Sequence, residues 1–407
     1  MRRYYLGVDW ADQEHEVWVC DEVGKKVAAM KVKQTVEGMS EFGRWLHERR
    51  GEGSELWAAI EKPEGRIVDF LLDHAVVVYP MNPKAVDRAR DRFRTSQSKS
   101  DPFDARVLAE FLRTDHAHLK ALLPSSEEAQ ELKMIARDYH RLVRHQTRVL
   151  NQLKATLKEY YPRSLEVFAD LSAQLALDFL EGYPTPQALS DLSGKRWRVF
   201  VRGHHLSETC AAELWERLKK PQLPIPPHVV RAKARLVKVL VAQLRAAATA
   251  VEQYREEVES FFASMPAAEL TKKLPGGKSG ATVPSLWAEL GDAGGRWESF
   301  QHLQAQAGSV PATKRSGKSQ TVRFRYACNK RMRYAVHWLA FISLRQSEWA
   351  GAYYRSQRAR GHSHHQALRA LGAKWLKIIF VMWRDRTPYD ENYHLANIAR
   401  QRLRQAA

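Results

Sequence analysis

The chain has 407 residues, of which 44% are apolar, so it is long enough for two or three domains with cores of their own and is not a disordered protein. Its net charge is +19, and residues 312–407 contain 20 Lys and Arg against four acids, a net of +16. A positive field this concentrated favours a polyanion, and nucleic acid is the commonest one.

The three cysteines, Cys20, Cys210 and Cys328, are far apart in the sequence, which excludes a paired-cysteine metal knuckle and fits a reducing compartment. The chain starts without the apolar run of a signal peptide and contains no apolar stretch of about 20 residues. We therefore expect a cytoplasmic protein without membrane contact.

Residues 1–120 alternate between strand and helix patterns. Strands are predicted at 4–8, 16–20, 27–33, 55–60 and 76–79, and helices at 37–49, at 66–73, from Lys84 and from Pro102. Three strands, a helix and then strand-helix-strand-helix is the order of a ribonuclease-H-like (RuvC-like) domain. The sequence thus predicts an α/β domain followed by mainly α structure.

Residues 121–268 read as a helical linker. Apolar residues at three-four spacing from Leu132 to Tyr160 and from Val237 to Phe261 predict two long, coiled-coil-like helices. They could pack on each other within one chain or on a second chain. A proline-rich helical insert at 162–227 lies between them, and we assign it no chemistry.

Residues 269–407 form the predicted C-terminal domain, which is basic and mainly helical. It contains a basic loop at 314–319 and aromatic residues interleaved with the basic ones. Aromatic faces can stack on bases, although most of these side chains could equally belong to a core. They are Tyr326, Tyr334, Trp338, Trp349, Tyr353, Tyr354, Trp375 and Trp383.

Four acidic residues carry the strongest functional signal. Asp9 and Glu61 each follow a predicted strand, where open sheets place their sites. Asp101 and Asp104 are three apart at the start of a helix and so share a face. Carboxylates from several elements suit Mg²⁺ (or Mn²⁺), which can activate an attacking oxygen and stabilise a leaving one.

Each acid also has a structural interpretation. Asp101 before Pro102 suits a helix N-cap, and Asp104 suits the helix dipole. Asp9 could start a turn, and Glu61 could pair with Lys62. The four together, in this order on this fold pattern, favour catalysis.

The motifs resemble those of the DEDD transposases of bacterial insertion sequences, which are related to Piv-type DNA invertases and include the bridge-RNA-guided recombinases. Lys99-Ser-Asp-Pro-Phe-Asp-Ala105 is similar to the family's Lys-Thr-Asp-x-x-Asp-Ala signature, and Gly7-Val-Asp9 and Ile60-Glu61 resemble its first two motifs. In the C-terminal part, Ala307-Gly-Ser-Val-Pro311 followed by Arg315-Ser-Gly-Lys318 resembles the family's serine loop.

The resemblance implies that Ser316 is the covalent nucleophile, with Ser309 and Ser319 as fallback choices, and that Asp9, Glu61, Asp101 and Asp104 are catalytic metal ligands. It further implies donor and target DNA, a structured bridge RNA as guide, and a homo-oligomer, either dimer or tetramer, with an active site shared between protomers. The residues expected to bind nucleic acid are Arg315, Lys318, Arg323, Arg325, Lys330, Arg331 and Arg333.

Two alternatives stay open at this point. One is a metal-only junction resolvase or nuclease in which water attacks and Ser316 is incidental. The other is a non-catalytic nucleic-acid-binding scaffold, which is favoured if the four carboxylates do not converge.

Overall fold

The computed structural model describes residues 2–51, 53–92, 101–317 and 319–406. Lys99 and Ser100 of the signature, and Lys318, lie outside these residues. The chain divides into two compact units, Met1–Pro124 and Ser125–Ala407. The three-domain division drawn from the sequence stays an interpretation.

The first unit contains a five-stranded mixed sheet. Its strands are β1 (Arg3–Asp9), β2 (Glu14–Cys20), β3 (Lys26–Lys33), β4 (Glu55–Ile60) and β5 (Val77–Pro80). The order across the sheet is β3-β2-β1-β4-β5, with β1, β2 and β3 antiparallel in succession and β4 parallel to both β1 and β5. This strand order and these directions are the ribonuclease-H-like arrangement that the sequence predicts, and the mixed α/β class is confirmed.

Helices cover both faces of this sheet. They are α1 (Val36–Gly51), α2 (Arg66–Asp73), α3 (Pro83–Arg90) and α4 (Asp101–Asp115), and a 3₁₀ turn at His116–His118 follows. Leu6 and Val8 of β1 share a core with residues of α1 and α2, such as Phe42 and Leu71. Tyr5, which points to the other face, shares a second core with residues of α3 and α4.

The contact between α4 and β1 depends on Gly7. A Cβ at this position would lie 1.8 Å from the carbonyl oxygen of Ala105 and 2.6 Å from the amide nitrogen of Ala109. Because both are backbone atoms, no side-chain movement could relieve the clash. The missing side chain therefore allows the helix backbone to rest directly on the strand.

The second unit is mainly helical. Its helices are α5 (Glu127–Tyr160), α6 (Pro162–Val167), α7 (Gln174–Gly182), α8 (Pro186–Ser190), α9 (Gly194–Arg202), α10 (Glu208–Lys219), α11 (Pro227–Ala263), α12 (Pro266–Thr271), α13 (Thr282–Leu290), α14 (Phe300–Gln306), α15 (Lys330–Gln346), α16 (Glu348–Ala359), α17 (His364–Asp385) and α18 (Glu391–Ala406). Among the described residues, no helix is long and apolar enough to cross a membrane.

The long helices α5 and α11 pack on each other as an antiparallel pair within one chain. Leu132 near the start of α5 shares a core with Phe262 near the end of α11, whereas Tyr160 at the end of α5 shares another core with Val230 near the start of α11. The apolar seams seen in the sequence therefore face each other in the same chain. Helices α6 to α10 join the second of these cores.

The segment expected to be a basic loop is instead a β-hairpin, so that prediction was wrong. Strands β6 (Ala312–Ser316) and β7 (Ser319–Arg323) pair antiparallel, with Ser316 opposite Ser319. Gly317 adopts φ +53° in the turn, which only glycine tolerates well. The β-branched residues Thr313, Thr321 and Val322 favour strands, and the dominance of basic residues concealed that signal. We call residues 312–323 the serine hairpin.

Replacing Gly7 by alanine tests the contact between α4 and β1. We expect Gly7→Ala to lower the free energy of unfolding by about 1–3 kcal/mol, because α4 must move away from β1 to make room. Urea unfolding of the purified protein measures the change. Gly194→Ala is the matched control, since nothing lies within 4 Å of a Cβ at this helical position. Equal stability of the two variants would contradict the close contact at Gly7.

Candidate active site and nucleic-acid interface

Two of the predicted catalytic acids leave neighbouring strands at the same edge of the sheet. Asp9 is the last residue of β1, and Glu61 directly follows β4. The two strands are parallel, with Val8 opposite Ile60, so both carboxylates emerge at the carboxyl ends. Open sheets that contain parallel strands place their sites at such ends.

The other two acids lie in the first turn of α4, the helix that contacts β1 at Gly7. Asp104 is buried and Asp101 is exposed. The pKa of Asp9 is raised to about 6, first by burial and then by the negative charges of Asp104, Asp101 and Glu61. Each acid thus acts on Asp9 electrostatically, and we call the four the acid cluster.

Arg90, the last residue of α3, partly neutralises the acid cluster. Its Nε donates a hydrogen bond to Asp104 Oδ1 at 2.8 Å, and its Nη2 lies 3.6 Å from Glu61 Oε1. It also pairs with Asp87 one turn earlier. Arg90 was not among the residues predicted from the sequence. The signal for it was its place on the helix that follows β5, because β5 is parallel to β4 and ends beside it.

The donor set of the acid cluster suits a divalent metal, because hard carboxylate oxygens and surplus negative charge both favour one. The guanidinium of Arg90 already binds two of the acids as a cation would. As arranged here, the described residues include no group of three His, Cys, Asp or Glu side chains that could hold a metal ion. Metal binding would therefore need these side chains and Arg90 to rearrange.

Ser316 lies at the tip of the serine hairpin, in the second unit, and is exposed. Its neighbour Arg315 is also exposed, and the Arg315 Nε donates to Gln320 Oε1 at 3.0 Å across the hairpin. The hairpin therefore presents a hydroxyl beside a guanidinium to solvent.

The remaining predicted nucleic-acid residues divide into exposed and structural ones. Arg323 ends β7 and is exposed. Arg325 donates to the carbonyl oxygens of Val310 and Pro311 at 3.4 and 3.3 Å, which closes the base of the hairpin. Its own carbonyl accepts a hydrogen bond from Arg333.

Lys330 and Arg331 begin α15, whose start is fixed by a buried ion pair. The side chain of Asn329 caps the helix by accepting from the amides of Arg331 and Met332. Its amide group donates to Glu289 Oε2 at 2.7 Å, and Glu289 also pairs with Arg137 of α5 at 3.0 Å. The basic start of α15 is thus tied to α13 and α5.

The eight interleaved aromatic residues fall into three groups by burial. Trp349, Trp375 and Trp383 are buried, which agrees with the alternative that these aromatic side chains belong to a core. Tyr326, Tyr334 and Trp338 are exposed. Tyr353 and Tyr354 are half-buried and pack against the core. The three exposed side chains are therefore the ones most available for stacking on bases.

A ribonuclease-H-like sheet with an acid cluster at its edge, followed by a basic helical unit, defines the class of DEDD transposases. A DEDD transposase family model of the IS110 group, described as "Transposase", matches residues 6–162, which include all four acids. A second model, described as "Transposase IS116/IS110/IS902 family", matches residues 269–355, which include the serine hairpin.

Relatives match along most of the chain. The putative transposase of the IS117 mini-circle of Streptomyces coelicolor is 32% identical over 403 residues, 95% of either chain. The uncharacterized 42 kDa protein of insertion element IS900 of Mycobacterium paratuberculosis is 23% identical over 390 residues, 95% of this chain and 96% of that one. The protein belongs to the IS116/IS110/IS902 family of transposases, and it is a DNA transposase.

Proposed function

We propose that this transposase cuts and rejoins DNA strands with Ser316 as the covalent nucleophile, assisted by the acid cluster. The observation that carries this proposal is the exposure of Ser316 at the tip of a basic hairpin inside the matched transposase segment. A nucleophile in this position can reach a phosphate without displacing any of the core. The metal-only resolvase is the alternative that the test below separates.

In the proposed reaction, the Ser316 oxygen loses its proton to a base and attacks the scissile phosphorus. A phosphorus–oxygen ester bond to serine forms while the strand's own phosphorus–oxygen bond breaks, and the departing oxygen takes up a proton. A strand hydroxyl later gives up its proton and attacks the phosphorus of the serine ester. A new DNA phosphodiester forms, and the Ser316 oxygen leaves and takes up a proton. A serine hydroxyl is a weak nucleophile at its free pKa, so positive charge such as that of Arg315 assists the attack.

Asp9, Glu61, Asp101 and Asp104 would hold Mg²⁺ (or Mn²⁺) once Arg90 releases Asp104 and Glu61. A bound divalent ion supplies a Lewis acid that polarises a phosphoryl oxygen and stabilises a leaving one. Burial first and the negative charge of the three neighbouring acids second raise the pKa of Asp9, and a bound cation would offset both effects. In the present arrangement the described residues do not yet bring three such ligands together.

The partners belong to the same proposal. We infer donor and target DNA bound by the basic second unit, a structured bridge RNA that selects them by base pairing, and a homodimer or homotetramer that shares active sites. The concentrated positive charge of residues 312–407 supports binding of polyanions and does not distinguish RNA from DNA.

Ser316→Ala should abolish strand cleavage and the covalent protein–DNA adduct, because the attacking oxygen is gone, while DNA binding persists. Denaturing gel electrophoresis of nicked, labelled DNA incubated with the protein measures the adduct. Ser319→Ala is the matched control, since Ser319 lies directly opposite Ser316 and is equally exposed.

Full cleavage by Ser316→Ala without any adduct would favour the metal-only resolvase. Loss of the adduct in Ser319→Ala, with retention in Ser316→Ala, would move the nucleophile to Ser319.

Asp9→Asn should reduce cleavage by at least about 100-fold, because the acid cluster loses its central carboxylate. Its thermal stability without metal should be equal to or above that of the unchanged protein, since a repelling charge is removed. Chelation by EDTA should abolish cleavage, and added Mg²⁺ should restore it.

Glu16→Gln is the control for Asp9→Asn. Glu16 lies opposite Asp9 on β2, but its carboxylate pairs with Lys31 Nζ at 3.1 Å. The Glu16→Gln variant should therefore cleave DNA as well as the unchanged protein. Undiminished activity of Asp9→Asn, or activity that survives EDTA, would remove the metal role from the proposal.

RNA guidance predicts that one structured RNA copurifies with the protein from cells that carry the element. Sequencing of the copurified RNA should recover a single dominant species whose loops pair with both DNA substrates. Changing one loop should redirect insertion to the matching target. Insertion at an unchanged site after the loop is altered or the RNA is removed would end this part of the proposal.

A further inference from the structure

The base of the serine hairpin borders a cavity of about 260 Å³ that we call the basal pocket. Gly308, Ser309 and Phe324, which flank the hairpin, form one wall. Helices α15 and α17 form the others. They contribute Lys330, Arg333, Tyr334, Val336, His337, His365, Leu368 and Arg369, and Ala307 completes the lining.

The pocket concentrates cationic and imidazole groups on two facing helices. Lys330, Arg333 and His337 are spaced three and four residues apart on α15, so they share one face of the helix. His365 and Arg369 are likewise four apart on α17. None of the residues that line the pocket in the described part of the chain is Asp or Glu.

Arg333 is held in place and is incompletely satisfied. It donates to the Arg325 carbonyl, and its guanidinium carbon lies 4.6 Å from the centre of the Phe324 ring. Its Nε is buried and has no hydrogen-bond partner among the described residues. Gly308 makes room for it, because a Cβ there would lie 2.9 Å from that Nε.

Arg369 lies against the same ring, at 4.9 Å from the ring centre. Burial first and the charge of Arg333 second lower the pKa of Arg369, so the two guanidiniums repel each other within a partly buried space. Burial first, and then His365, His364 and Arg369, lower the pKa of His337. Its imidazole is therefore neutral near pH 7 and can still donate one N–H. An anion with several oxygens, bound between the two guanidiniums, would relieve this repulsion.

We propose that the basal pocket binds one backbone phosphate of the DNA strand that Ser316 cuts. The site deepens the proposed function, because it would hold the strand at a second point. From Ala312 to Ser316 and from Phe324 to Ser319 the hairpin spans about 14–17 Å at the usual strand rise. Because a strand also winds around the helix axis, its phosphates lie farther apart than the axial rise of about 3.4 Å per nucleotide, and this length corresponds to about two or three nucleotides.

The first test measures binding of a fluorescent 20-nucleotide DNA of random sequence, as single strand and duplex, over a range of salt concentrations. Arg369→Gln should weaken binding about tenfold and lower the slope of log affinity against log salt by about 0.7–0.9, the loss of one phosphate contact. Arg345→Gln is the matched control, because Arg345 is exposed on α15 outside the pocket. It should leave the slope unchanged and change the affinity less than twofold.

Equal losses in the two variants would show a general electrostatic field and overturn the pocket. So would a wild-type slope in Arg369→Gln. Inorganic phosphate should compete with DNA for the unchanged protein and not for Arg369→Gln; competition by phosphate with no effect of the variant on DNA affinity would mean that only free phosphate is bound. The same measurement is made with a fluorescent 20-nucleotide RNA of the same design, and a loss of affinity in Arg369→Gln confined to the RNA would reassign the pocket to RNA.

A second test combines a change in the DNA with the Arg369→Gln variant. In a DNA whose cleavage position is mapped, one uncharged methylphosphonate placed about two or three nucleotides from the scissile phosphate should weaken binding as Arg369→Gln does. The two changes together should cost no more than either alone. Independent, additive losses would overturn the contact. The first test decides the pocket even if Ser316→Ala proves active, so failure of the pocket and failure of the serine mechanism can be told apart.

Discussion

The direct contact between α4 and β1 at Gly7 is the constraint on which the acid cluster depends. The backbone of Ala105 and Ala109 occupies the space where any side chain of residue 7 would lie. Asp101 and Asp104 begin the same helix, and Asp9 follows Gly7 by two residues on the same strand. This close contact therefore lies directly behind the site, and it fixes where two of the four carboxylates lie relative to a third.

The four carboxylates of the acid cluster carry more negative charge than the guanidinium of Arg90 neutralises. The guanidinium binds Asp104 and approaches Glu61, while burial first and the charges of the other three acids second still raise the pKa of Asp9. Structural ion pairs usually balance their charges, whereas catalytic sites retain an imbalance that a metal or substrate relieves. The basal pocket shows the opposite imbalance, an excess of positive charge in a partly enclosed space.

Local patterns predicted the elements well, and contacts between distant segments escaped them. The strand and helix order of the first unit followed from periodicity, and the three-residue spacing of Asp101 and Asp104 placed them on one helix face. Arg90 and Arg369 were missed because each acquires its partners through tertiary packing that no local spacing encodes. The serine hairpin was missed because strand-favouring residues are few among basic ones. The seams of α5 and α11 predicted two helices, but only the structure showed that they pair within one chain.

The antiparallel pair of α5 and α11 has a consequence for how the chain can vary. In an antiparallel pair, the end of α5 lies beside the start of α11. The segment that connects Tyr160 to Pro227 therefore needs to span only the roughly 8–10 Å between packed helices. Helices α6 to α10 fill that gap and share a core with one end of the pair, separate from the core at the other end. The family models also stop at residue 162 and resume at 269. The length of the connection can therefore change without moving the helices that frame it, provided that its two ends stay this close together.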